Sequence, residues 1–239
     1  MEKGKIKKLI GSNPLGKWLM TQRENFNNWH YYQKRKPYIP ALTELFMESE
    51  ISIISSNCFA GRVMQDLKME YNSPTLGLYF MYPDYIEFLQ HLEHYLKNGK
   101  LTFVEHSKYA LGDERRAART ISHHWYPIGL IDGKVEIHFL HYHTEEEAAG
   151  KWYRRAARVN FENLLVIGMD QNRCTEQDIR DFDALPFKRK LIFSTHEMTG
   201  VKSNVFMKEF AGKDSVGDAY KNGDLFYKYL VDRLNKLEP

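Results

Sequence analysis

Only two cysteines occur in this chain, Cys58 and Cys174, and both sit among polar turn residues. That excludes a disulfide scaffold; free thiols in a reducing cytoplasm are expected. Long apolar runs are also missing, so no membrane-crossing helix is expected. The Lys-rich start lacks the apolar stretch of a secretory leader, which again points to a cytoplasmic protein. Acidic side chains are scarce at the front. Residues 1–36 hold nine Lys or Arg against Glu2 and Glu24, a balance of +7, while the remainder balances at −4. The leading segment therefore suits an anionic partner, and the mildly acidic body carries no nucleic-acid groove.

What is present describes a globular protein. The 239 residues are 43% hydrophobic and 14% aromatic, enough for one large domain with an arm. The expected division is a basic helical arm over residues 1–49 and a single α/β domain over 50–239. Residues 1–12 read as a frayed basic end. Leu15, Trp18, Leu19, Phe26 and Trp29 then fall on one helical stripe, with Lys17, Arg23, Asn27 and Asn28 off it. Such a helix could rest on the inner face of a membrane, or pack on the body or on a second copy in a homo-oligomer. Pro37 and Pro40 end it, and a short helix over 41–49 leads into the body. Gly11, Gly16 and Lys17 imitate a phosphate loop, but Trp18 stands where a hydroxyl is required and Pro14 interrupts the loop, so it is rejected.

Within the body, strands are expected over 51–55, 76–80, 101–105, 128–131, 135–140, 164–169 and 191–194. Helices are expected from Phe59, from Asp84 to about Leu96 with Asp84 and Glu87 capping it, and from Thr144 to about Arg158. Two more are expected, from Thr175 to before Pro186 and over 218–237. Residues 107–127 read as a loop with a short helix, and 197–217 as a loop or lid. Asp132-Gly133 marks a hairpin. This alternation predicts an α/β fold: a three-layer sandwich with a mixed, mostly parallel central sheet and helices on both faces.

The stretch 51–67 is the centre of the functional expectation. A β-branched run gives way at Ser55, Ser56 and Asn57 to a helix carrying Val63, Met64 and Leu67. Cys58 thus falls at a strand-to-helix junction, where helix-terminal N–H groups and dipole stabilise a thiolate. Cys58 is the candidate nucleophile. Phe59 and Ala60 N–H groups with the Asn57 amide are candidate oxyanion donors, and Gly61 permits close approach. Other polar clusters follow strands and could converge there: His141 to His143, and Asp170 to Arg173. His141 is the candidate base and Asp170 its orienting acid. Asn72, Ser73, His143, Arg154 and Arg155 are candidate substrate contacts, the arginines for phosphate. No metal site is expected. His141 and His143 lack a third ligand, and the Asp181-Phe182-Asp183 triplet lies inside a predicted helix rather than a loop. Each residue also has a structural explanation: a corner cysteine, a strand-end histidine, a turn aspartate, a solvated helix face.

Ser-Asn-Cys-Phe-Ala-Gly at 56–61, Tyr-Asn-Ser-Pro-Thr at 71–75, Tyr-Pro-Asp-Tyr at 82–85, His-Phe-Leu-His-Tyr at 138–142, Lys-Trp-Tyr-Arg-Arg at 151–155 and Leu-Pro-Phe-Lys at 185–188 resemble one bacterial family. It is the domain-of-unknown-function family 1919, associated with exopolysaccharide biosynthesis. The resemblance implies a role in making or modifying capsular polysaccharide and no established reaction. Where members have Asn-Asn-Cys-Trp-Gly-Gly, this chain has one glycine, Gly61. A looser similarity links the Asn-Cys turn to capsule-cluster proteins that bind coenzyme A. The leading expectation is Cys58-dependent acyl transfer to a sugar from a coenzyme A thioester, or ester cleavage. The alternatives are a sugar-nucleotide-dependent glycosyltransferase or phosphosugar enzyme, and a non-catalytic partner at the membrane.

Overall fold

The computed structural model describes residues 14–47, 50–122 and 124–236, with only the backbone of Lys17, Met47, Ile121 and Ser122. The basic end over residues 1–12 and His123 lie outside the described residues.

The chain begins with helix α1 (Pro14–Arg35), a 3-10 turn (Lys36–Tyr38) and α2 (Ile39–Met47). Pro37 and Pro40 sit in first turns, where a missing N–H costs nothing, so they divide the helices rather than end them. Four strands form a parallel sheet in the order β1 (Ser52–Ser55), β5 (Leu164–Met169), β6 (Arg189–Ser194), β7 (Asn204–Phe206). Alternation along these strands feeds two cores. Ile53, Leu165, Ile167, Leu191 and Phe193 pack with α2, α3 (Phe59–Asp66) and α9 (Gly223–Leu234). Ile54, Val166 and Ile192 point the other way, toward α4 (Tyr82–Gln90), α5 (Leu92–Lys97), α7 (Glu145–Ala156) and α8 (Glu176–Ala184). The α/β sandwich with helices on both faces is therefore as expected.

The hairpin does not enter that sheet. β2 (Leu101–Val104), β3 (Ile128–Ile131) and β4 (Val135–His138) make a separate antiparallel sheet, with β3 and β4 joined by the turn at Asp132 and Gly133. The expected strand over 76–80 shrinks to a stitch between the two sheets. Tyr79 and His138 exchange both backbone bonds at 3.0 Å, and Phe80 N donates to Ser56 O at 3.0 Å. Gly77 explains the loss, because its φ of 74° leaves the extended region.

Other expectations shift for local reasons. The helix from Asp84 breaks at His91 into α4 and α5. Asp84 does not cap it; its buried carboxylate accepts from Lys108 Nζ and Glu136 N. Thr144 does cap α7 and Thr175 caps α8 with a full capping box. Residues 107–127 hold a long helix, α6 (Ala110–Ser122), and the supposed lid contains β7.

The candidate functional site

One cavity of about 1110 Å³ opens where β1, β4 and β5 end. Ser55, Ser56 and Asn57 close β1 and turn the chain into α3, which leaves Cys58 half-buried at the wall. His141 reaches the same cavity from the end of β4, its backbone N–H held by Gly77 O at 2.9 Å. A Cβ on Gly77 would lie 3.3 Å from the His141 and Tyr142 side chains, so glycine serves both the positive φ and this close packing. Gln171 and Asn172 follow β5 into the lining. The three polar clusters do converge, though through some residues other than the expected ones.

The environment of Cys58 differs from the expected thiolate. Its Sγ donates to Leu78 O at 3.4 Å, and burial pushes the thiol up to about 12, against the pull of Arg119 and Arg62. Desolvation outweighs the helix terminus here. The proposed oxyanion donors are also occupied. Phe59 N–H donates to Asn57 Oδ1 at 3.0 Å and Ala60 N–H to Ser55 Oγ at 3.3 Å. The Asn57 amide donates to Gln171 Oε1 at 3.1 Å and faces Met169 Sδ. Gly61 and Phe59 line the cavity, while Ala60 is fully buried.

Asp170 has another task. Its Oδ2 accepts from Thr195 N at 2.7 Å and Thr195 Oγ1 at 3.0 Å, and its Oδ1 accepts from Val216 N at 2.6 Å. It ties β5 to β6 and to the loop 215–220, whose other side lines the cavity. Ser73 is buried against Thr75, and Asn72 donates to Ile51 O, so both hold the turn after α3 rather than the cavity. His143 is exposed and packs against His124 with the rings tilted by 38°. Arg154 is exposed on α7, whereas its neighbour Arg155 is buried and lines the cavity.

Arg155 belongs to a basic lining that the sequence reading largely missed. Arg62, Arg115, Arg119, Lys151 and Arg155 face the cavity, and Asp218 is the one carboxylate among the described lining residues. Several of these cations are braced. Arg155 donates to Tyr142 OH at 2.7 Å and stacks over Tyr71; Arg115 donates to Asn172 Oδ1 at 2.6 Å and lies over Tyr79; Arg62 donates to Gln65 and lies over Tyr220. Braced guanidinium planes lose little freedom on gripping a planar or tetrahedral oxyanion. Five tyrosines stand between them: Tyr79, Tyr126 and Tyr142 are buried in the wall, and Tyr71 and Tyr220 are the more exposed. A signal for Arg115 and Arg119 did exist: four residues apart, they share one face of a helix. It was hidden because 107–127 reads as a loop.

The sequence profile described as "Domain of unknown function (DUF1919)" matches residues 30–238. An uncharacterized protein of Haemophilus influenzae is 35% identical over 181 residues, covering 74% of this chain and 79% of that protein.

Proposed function

The chain belongs to the DUF1919 family, and we propose that it is a phosphosugar or sugar-nucleotide enzyme of polysaccharide assembly. One observation carries this: five cations against one carboxylate around a single roomy cavity at the strand ends. Burial of Arg155 strengthens its charge, and guanidinium groups pair well with phosphate. Tyr71 and Tyr220, the two more exposed tyrosines of the lining, offer ring surface to a sugar or a base. The volume exceeds what a monosaccharide fills and suits a donor of nucleotide size. The polysaccharide setting rests on the resemblance of the quoted motifs.

Acyl transfer keeps one favourable observation, that Cys58 and His141 line the same cavity. The protonated thiol and the occupied N–H donors speak against it. Coenzyme A also carries phosphates, so the cations alone do not separate the two reactions.

The test is a thermal-shift screen with nucleoside diphosphates, nucleoside-diphosphate sugars, sugar phosphates and coenzyme A. The expected result is stabilisation by a nucleotide sugar or sugar phosphate that Arg119→Ala weakens about tenfold or more and Cys58→Ala leaves intact. Stabilisation by coenzyme A alone, abolished by Cys58→Ala, would restore acyl transfer.

A further inference from the structure

We propose that the outer face of α1 is a docking surface for an anionic lipid bilayer. One side of the helix is anchored on the body. Tyr31 packs edge-on against Tyr220 at 5.1 Å between ring centroids, Asn28 accepts from Tyr220 OH, and the buried Arg35 pairs with Asp66 at 2.6 Å. The opposite side carries Leu15, Trp18, Leu19, Phe26 and Trp29, whose exposures are 64, 56, 52, 63 and 58%. At helical spacing these five form one apolar stripe, roughly 100° wide. A soluble surface rarely leaves so many large apolar groups contiguous.

Charge and residue type choose the occupant. Nine cations against two carboxylates crowd residues 1–36, while the rest of the chain is net negative. Arg35 is taken up by Asp66 and Lys34 pairs with Asp224, yet the cations left in this segment still outnumber Glu2 and Glu24, so two copies meeting along α1 would repel where an anionic lipid surface attracts. Two of the five stripe residues are Trp, a residue that settles at the headgroup level. Gln22 and Gln33 also lie along the stripe, which suits a headgroup layer better than a dry helix seam. Among the described residues no helix is long and apolar enough to cross a membrane, so α1 would lie in the surface. Tyr220 joins the anchored side of α1 to the cavity, because its ring also lines the cavity beneath Arg62.

The experiment is co-sedimentation of the full chain with phosphatidylglycerol–phosphatidylcholine vesicles and with pure phosphatidylcholine vesicles. We expect binding to the anionic vesicles alone, weakening as salt rises. It should fall at least about tenfold in the Trp18→Ser/Phe26→Ser/Trp29→Ser variant, whose changes are all at exposed positions. An unchanged melting curve for that variant confirms that the fold is intact. Arg23→Glu, also exposed, should weaken binding to the anionic vesicles without altering the melt. No binding to either vesicle, equal binding to both, or a dimer in solution that the triple variant converts to monomer would each overturn the proposal. None of these results depends on the cavity ligand.

Discussion

Cys58 shows how a residue's position and its chemistry can part. It stands at the start of α3, yet its thiol is pushed from 9.0 up to about 12 by burial. At pH 8 only about one thiol in ten thousand would be ionised. Alkylation by iodoacetamide should therefore be slow and rise about tenfold per pH unit, without a plateau before pH 11. A plateau near pH 7 would show an activated thiolate. The same shift bears on stability. The unfolded thiol ionises first, so this contribution is complete below about pH 9 and fades as pH climbs through about 12. Cys58→Ser should flatten that part of the pH–stability curve.

Arg155 and Arg154 make the complementary point. Both were legible as phosphate candidates, but α7 turns one into the cavity and the other into water. Arg154→Ala should leave ligand binding within about twofold, whereas Arg155→Ala should lose about tenfold or more. Isothermal titration with the ligand found by the thermal screen measures both.

At the scale of elements, caps and turns were the most readable features. Thr175 Oγ1 accepts from Asp178 N at 3.2 Å, the cap expected from the sequence, and Asp178 Oδ2 accepts from Thr175 N at 2.8 Å, which completes a reciprocal box. Thr175→Ala should cost about 1 kcal/mol and lower Tm by about 2–4 °C. The Arg35–Asp66 pair was not readable, because its partners are 31 positions apart. It joins the end of α1 to α3, and Tyr227 of α9 donates to the same carboxylate at 2.9 Å. Removing one partner leaves a buried charge unmatched, so Asp66→Ala should cost about 3–5 kcal/mol. Urea unfolding checks this: the midpoint should fall while the slope stays constant.

For the whole molecule, ligand and surface charge should dominate the response to conditions. A ligand at about a hundred times its Kd should stabilise the fold by about 2.7 kcal/mol. That gain should shrink as salt rises, because it rests on the cations around the cavity.

What the sequence alone determined is local: strand and helix periodicity, the Thr144 and Thr175 caps, the Asp132-Gly133 hairpin, and the α/β sandwich they imply. These depend on neighbours within a few residues, so their signals lie together in the chain. Tertiary structure alone decided that the hairpin builds its own sheet. It also decided that Asp170 braces a loop, that the amides beside Cys58 are already occupied, and that Arg62, Arg115, Arg119 and Arg155 meet around one cavity. The reason is physical. Desolvation and charge convergence depend on distances between residues far apart in sequence, and no local pattern encodes those distances.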